Sequence, residues 1–410
     1  MNSELKDEKK KSLVLKMAEF FFIVYMITVY MFMNDTDALI YTYISFILFA
    51  GFTALYILER KRMYFGKAFM LAYLSCSWMF ASILWAESRY YATVKVKTMW
   101  QLFILFFLVY NLFYDNKDAY KKYIQAMYIG GIAFVIYTVY TYGVSDLIKM
   151  MLSSTAQRLG GDISQKNVYG MNHATTTLIA FYYMMYRKKH KLFHFAILCS
   201  SFICAMSSGS KKALLIVIIG ILYLIYKTYG IRQLYKVAGV TLFAGILFYI
   251  AIQMPMFEMM HRRFEESINA LLGKSGGDGS TITRISFIET GWHLFKDKML
   301  IGYGANNFRY VSGFGMYSHN NFIEILVDFG LIGFAIYYSI YTSAFRNMGK
   351  ATNKEGKLLF VIFIVRTVLE VAMVTYYDKK TWIMFAFLLL PSNRFDKTSE
   401  KEIATNKGVE

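Results

Sequence analysis

Proline and cysteine are nearly absent from this 410-residue chain. The two prolines, Pro255 and Pro391, fall at the edges of apolar segments, so neither breaks one. The three cysteines, Cys76, Cys199 and Cys204, are odd in number and lie within apolar runs, which excludes a disulfide framework. The six histidines are scattered, and no clustered metal-ligand spacing occurs. A phosphate-binding loop is missing, so no ATP site is expected. Gly302-x-Gly304 lacks the third glycine and the βαβ context of a dinucleotide site. No internal repeat suggests an inverted-repeat transporter. Acidic residues are few, 27 against 45 Lys and Arg, for a net charge of +18. In a soluble chain that excess would suggest nucleic acid. Here it reads as membrane topology, with an anionic substrate as a second contributor, and no nucleic-acid partner is expected.

Apolar residues dominate instead. The composition is 57% hydrophobic and 18% aromatic, against roughly 45–50% apolar in soluble domains. Twelve apolar segments recur at 17–33, 38–58, 68–86, 98–113, 124–142, 170–186, 192–207, 213–227, 236–254, 322–345, 358–375 and 380–391. Most approach the ~20 residues needed to cross a membrane. The expected fold class is therefore all-α: one polytopic membrane domain over 1–410, with about twelve transmembrane helices. With the N-terminus inside, the inner segments carry 27 Lys and Arg and the outer ones 17, seven of which lie in one loop. The positive-inside rule then places both termini in the cytoplasm. A basic tail leads straight into the first segment, with no cleavable signal expected. Trp85, Trp100 and Trp382 fall at segment ends, where amphipathic rings favour the interface.

The long outer loop, 253–321, has the composition of ordered structure. Residues 255–272 read as an interfacial helix and GKSGGDGS as a flexible break. Ser280 then caps a helix in which Ile285, Ile288, Trp292 and Phe295 form one apolar stripe, with Arg284 off that stripe on the first turn. The stretch 301–333, IGYGANNFRYVSGFGMYSHNNFIEILVDFGLIG, passes from a glycine-rich aromatic loop into an apolar helix, and His319 sits at the join. His319 is either an interfacial polar group or a general base. Arg284 either pairs with lipid phosphate or grips a diphosphate bidentately. In the short outer turn SSGSKK, either the two lysines snorkel to the interface, or Ser210 and Lys211 point into the same anionic pocket. Arg158 in the first outer loop follows the same logic. Arg366 and Glu370 lie i, i+4 inside the eleventh segment, where they either pair with each other or mark a functional site.

Three patches together resemble the O-antigen ligase/polymerase superfamily of the Wzy and WaaL type. The first is GYGANNF followed by SHNNFIEILVDFGLIG; it carries Gly302, Gly304, Asn307, Phe308, His319, Asn320 and Glu324. The second is STITR, with Arg284. The third is SGSKKALL, where Lys211 stands in place of the usual Arg and keeps the charge without the fork. The resemblance implies a metal-independent glycosyltransferase, without cofactor, in the cytoplasmic membrane of a bacterium. It would act on the outer face on oligosaccharides linked to undecaprenyl diphosphate. His319, Arg284 and Lys211 would be catalytic. Arg158, Ser210, Gly302, Gly304, Asn307, Asn320 and Glu324 would bind substrate. A repeat-unit polymerase for capsule, exopolysaccharide or O-antigen is the leading reading, with a ligase of the same superfamily or a lipid-linked oligosaccharide flippase as alternatives. Membrane lipids, a chain-length regulator and a separate flippase are the implied partners.

Overall fold

The computed structural model of the chain describes residues 12–32, 38–152, 158–230, 261–262, 265–266, 268–269 and 279–391. The ninth apolar segment (236–254) and the greater part of the glycine-rich break lie outside them, as do twelve of the eighteen residues of the interfacial helix expected over 255–272; its six described residues are helical. Among the described residues the structure is helical, with no strand. Helices α1 (Leu13–Met31) and α2 (Leu39–Arg60) form a pair, and α5 (Ala119–Tyr142) lies along α1. Helix α3 (Lys67–Ala81), extended by a 3-10 turn at Ser82–Leu84, packs on α4 (Arg89–Phe113). The short α6 (Val144–Leu152) follows α5. Helix α7 (Lys166–Tyr186) contacts α8 (Lys191–Ser207) and α9 (Lys211–Tyr229). The C-terminal part holds α10 (Gly279–Asp297), the one-turn α11 (Phe308–Val311), α12 (Asn321–Met348), α13 (Lys354–Leu369) and α14 (Lys379–Leu388).

Side-chain caps set several helix starts. The Ser12 hydroxyl accepts the Leu15 amide at 3.1 Å, Asn353 Oδ1 accepts the Gly356 amide at 2.6 Å, and Asp378 Oδ2 accepts the Thr381 amide at 3.2 Å. Helices stand at eleven of the twelve expected segments. Seven of them are long and apolar enough to cross a membrane: α1, α2, α3 with its turn, α4, α5, α9 and α12. Helix α7 is long enough but polar, and it buries Asn172, His173, Thr176 and Thr177. Helix α14 has 10 residues. At 1.5 Å per residue it covers about 15 Å, half of the ~30 Å hydrocarbon core. It is a half-helix enclosed by protein rather than a full crossing. Trp382 belongs to this interior, not to an interface: it is fully buried, and its Nε1 donates to the Tyr376 carbonyl at 2.7 Å.

Helix α12 is broken at Gly330, whose φ of 65° is left-handed. The break frees backbone groups inside an apolar helix, where an unpaired group is costly. The segment 299–304 supplies their partners. Tyr303 N–H donates to the Val327 carbonyl and Gly304 N–H to that of Asp328, both at 2.8 Å. In return Leu331 N–H donates to Met299 O at 2.8 Å and Ile332 N–H to Leu300 O at 3.2 Å. Trp78 Nε1 donates to Phe329 O at 3.3 Å, and Trp85 Nε1 to Ile301 O at 3.1 Å. The strap is therefore stitched into the break.

Helix α10 covers this strap. Phe287 and Phe295 face Phe308, Ile323 and Val327. Gly291 sits between them, where a Cβ would come within 2.2 Å of the Ile323 side chain. The expected stripe divides accordingly. Ile285, Ile288 and Trp292 are exposed, while Phe295 turns inward with Phe287. Residues 287, 291 and 295 follow an i, i+4, i+8 path, and that row makes the contact. The helix starts at Gly279, one residue before the expected cap.

Candidate active site

His319 closes the loop between α11 and α12. Its φ of 58° is left-handed, a conformation that costs a side-chain-bearing residue energy and persists only when its neighbours enforce it. Three neighbours do so. Ser318 N–H donates to Glu324 Oε2 at 2.6 Å. The Ser318 hydroxyl donates to the Asn320 carbonyl at 2.8 Å. Asn320 Oδ1 caps α12 by accepting the amides of Phe322 and Ile323 at 3.0 and 3.1 Å. The imidazole lies parallel to the Phe287 ring, with centroids 6.1 Å apart, and 4.3 Å from the Tyr317 ring. Desolvation, with the charges of Arg284 and Lys212 adding to it, lowers its pKa from 6.5 to about 4. At neutral pH the ring is uncharged and competent to accept a proton.

Below His319 opens a cavity of about 380 Å³ among α1, α5, α7, α9, α13 and α14. Its lining includes the apolar side chains of Met26, Met171, Leu178, Ile216, Leu369 and Met384. The same lining carries Lys212, Arg366, Lys379 and Lys380 against a single lining carboxylate, Asp378. Arg366 Nη2 donates to Asp378 Oδ2 at 2.7 Å and to Thr381 Oγ1 at 3.0 Å. Lys380 Nζ donates to Asn172 Oδ1 at 2.5 Å and lies 4.1 Å from the centre of the Tyr30 ring. Cations at this depth are expensive and are retained where an anion is to be met.

The residues expected at a site divide between this cavity and its frame. Arg284 is half-buried on α10 and bears electrostatically on both His319 and Lys212. Lys211 is partly exposed and does not line the cavity; its neighbour Lys212 is buried and does. Successive residues of a helix point about 100° apart, so only one of the two lysines can face inward. Ser210 is buried and caps α9, accepting the Ala213 amide at 3.4 Å. Arg158 braces the same turn, with Nε donating to Ser208 O at 2.7 Å and Nη2 to Asn167 Oδ1 at 2.9 Å.

Gly302 and Gly304 belong to the strap, at φ of 66° and 92°. Asn307 Oδ1 accepts the Ser88 amide at 2.7 Å, fixing the strap to the turn before α4. Glu324 is wholly buried. One oxygen holds Ser318 and the other, Oε1, has no hydrogen-bond partner among the described residues. Arg366 and Glu370 do not pair with each other. Glu370 instead accepts from Tyr341, Thr375, Tyr338 and Asn321, the last two at 3.1 and 3.2 Å.

Sequence reasoning passed over three contributors. Asp328 accepts the amides of Asn306 and Phe308 at 2.7 and 2.8 Å and so shapes the strap. Lys212 was overshadowed by Lys211. Lys380 begins a segment too short to cross a membrane, and that shortness was the signal that its charge could be enclosed.

The model of the O-antigen ligase family matches residues 195–338, which takes in most of α8, all of α9 through α11 and most of α12. It includes His319, Arg284 and both lysines of the SSGSKK turn, and it excludes Arg366, Asp378 and Lys380. No curated protein matches the chain. The family match supports the O-antigen ligase/polymerase superfamily, whose members are glycosyltransferase-like enzymes acting on lipid-linked glycans in membranes.

Proposed function

We propose that this chain is a polysaccharide polymerase. It joins oligosaccharide repeat units carried on undecaprenyl diphosphate at the outer face of the cytoplasmic membrane. The observation that carries the reading is the placement of an uncharged, half-buried His319 beside Arg284 and Lys212, at a cavity lined by both cations and apolar side chains. Such a cavity suits an amphiphilic anion, with a diphosphate for the lysines and arginines and an isoprenoid chain for the methionines and leucines.

The chemistry follows from these positions. His319 takes the proton of the acceptor sugar hydroxyl as its oxygen attacks the anomeric carbon of the donor. The anomeric carbon–oxygen bond breaks, and the diphosphate departs with the electron pair. Negative charge grows on the leaving group, and preorganised cations stabilise charge that develops in the transition state. Lys212, Arg284 and Lys380 supply them in place of a bound metal ion. The bond to the lipid diphosphate stores the energy, so no nucleotide is consumed. Because Ser318, Asn320 and Glu324 hold the His319 backbone, they act on the base rather than on the sugar.

A ligase that transfers the finished glycan to another acceptor shares every one of these steps. The description of the matching family favours it as the second reading. The products separate the two. Cells lacking the protein should accumulate single repeat units on undecaprenyl diphosphate at the outer face. Full-length polymer retained on the lipid carrier would establish the ligase instead. Single units held on the cytoplasmic face would refute both.

A further inference from the structure

A second cavity, of about 250 Å³, lies at the opposite end of the bundle from His319. Its lining includes Lys121 at the start of α5, Tyr182, Tyr183 and Arg187 at the end of α7, and Lys354 and Glu355 at the start of α13. Each helix runs away from it toward the candidate active site. Helix α7 begins at Lys166, within the stretch that lines the first cavity, and α13 ends near Glu370. This end also carries the lysine- and arginine-rich turns 114–123, 187–191 and 346–357, which the positive-inside rule assigns to the cytoplasm.

The cavity has a tyrosine floor and a cationic rim. Tyr182 and Tyr183 are buried, while Lys121, Arg187 and Lys354 are exposed. Arg187 stands 4.8 Å from the centre of the Tyr183 ring, and Lys354 stands 4.8 Å from that of Tyr186. Tyr186 is held from behind by its hydroxyl contact with Thr228 Oγ1 at 2.7 Å. The neighbouring Lys122 is spent on an ion pair with Glu19. Among the described residues Lys121, Arg187 and Lys354 take part in no salt bridge, and the Glu355 carboxylate faces the Tyr182 hydroxyl. Three like charges thus border one hollow with one carboxylate beside them, and this excess of positive charge favours an anion there. Beside the hollow, α8 presents Leu192, Phe193 and Phe195 to the surroundings, at 81%, 49% and 50% exposure. An apolar surface next to a basic, aromatic-floored hollow matches the junction of acyl chain and headgroup.

We propose that this cavity is a binding site for a phosphate group, carried by an anionic phospholipid of the cytoplasmic leaflet. Lys121, Arg187 and Lys354 hold the phosphate, and the tyrosine rings support the glycerol and upper acyl region. Basic hollows between membrane helices on the cytoplasmic side are suited to such headgroups.

The test uses the full chain in detergent micelles, with native mass spectrometry and thermal unfolding as readouts. Wild type should retain phosphatidylglycerol and cardiolipin over phosphatidylcholine and unfold at a higher temperature in their presence. The triple variant K121Q/R187Q/K354Q should lose that retention at least tenfold. Glu355→Gln, which adds no bulk and removes the one opposing charge, should bind them more tightly than wild type. It tests the site even if the triple variant fails to fold. Stabilisation by inorganic phosphate alone, lost in the triple variant and without any lipid preference, would keep the phosphate chemistry but identify free phosphate as its source. Equal retention of phosphatidylglycerol by wild type and triple variant, or no gain from Glu355→Gln, would overturn the proposal.

Discussion

One methyl group placed at Gly302 or at Gly313 should have very different consequences, although both positions lie in the same glycine-rich stretch at similar left-handed φ, 66° and 73°. A Cβ at Gly302 would lie 2.5 Å from the Val327 carbonyl oxygen and 2.6 Å from the backbone of Asp328 and Phe329, none of which a rotamer can move. A Cβ at Gly313 meets nothing within 4 Å. The left-handed conformation itself costs a non-glycine residue about 1–2 kcal/mol at either site. At Gly302 the strap must also lift from the break in α12. That loses the bonds from Tyr303 N–H to Val327 O and from Gly304 N–H to Asp328 O, each leaving buried groups unpaired at a cost of about 1–3 kcal/mol. The total is on the order of 3–8 kcal/mol for Gly302→Ala against about 1–2 for Gly313→Ala. Thermal unfolding of the detergent-solubilised variants, followed by size-exclusion chromatography, measures the difference. Melting temperatures within a degree or two of each other would refute the reading of Gly302 as a packing residue of the helix break.

His319→Ala should reduce polymer formation by roughly 10²–10⁴-fold, the usual contribution of a general base, while protein level and melting temperature stay close to wild type. Normal polymer would remove His319 from the mechanism. Because the neutral ring is the reactive form and its pKa is lowered to about 4, activity in purified membranes should hold from pH 8 down to about 5 and fall only as pH drops through the region of 4. Lys212→Gln, by removing a repelling charge, should move that limb upward toward the ordinary histidine value; a limb already near 6.5 in wild type would contradict the arrangement. Lys212→Met and Lys380→Met should each lower the rate by roughly 10²-fold or more if they face the leaving diphosphate, whereas Lys211→Met should lose far less. The reverse order, measured by transfer of labelled repeat units, would return Lys211 to the role its sequence position suggested.

Much of the architecture was legible without coordinates. Apolar segments of near-constant length announce membrane helices because a bilayer interior rejects unpaired backbone and tolerates little else. Eleven of the expected segments are helices to within a few residues at most ends, and the His-Asn step before α12 was readable as a helix start because Asn caps helices. The stretch 301–333 stood out because glycine, asparagine and histidine interrupt an otherwise apolar chain. A local pattern could not say which side chains this interruption serves. The residue types of Gly302, Gly304 and Asn307 suggested substrate ligands, and nothing local showed that the same three residues also hold a strap in place.

The sequence by itself determined a helical membrane protein with a polar, histidine-bearing stretch next to a hydrophobic helix, since composition and period depend only on neighbours along the chain. Tertiary structure alone decided the rest. It turned Lys212 rather than Lys211 inward, split the α10 stripe into a packed row and an exposed one, and paired Arg366 with Asp378 instead of Glu370. It also filled the break at Gly330 with a strap about thirty residues earlier in the chain. Each of these depends on what stands opposite a side chain, and opposition in space between distant segments leaves no periodic trace in a single sequence.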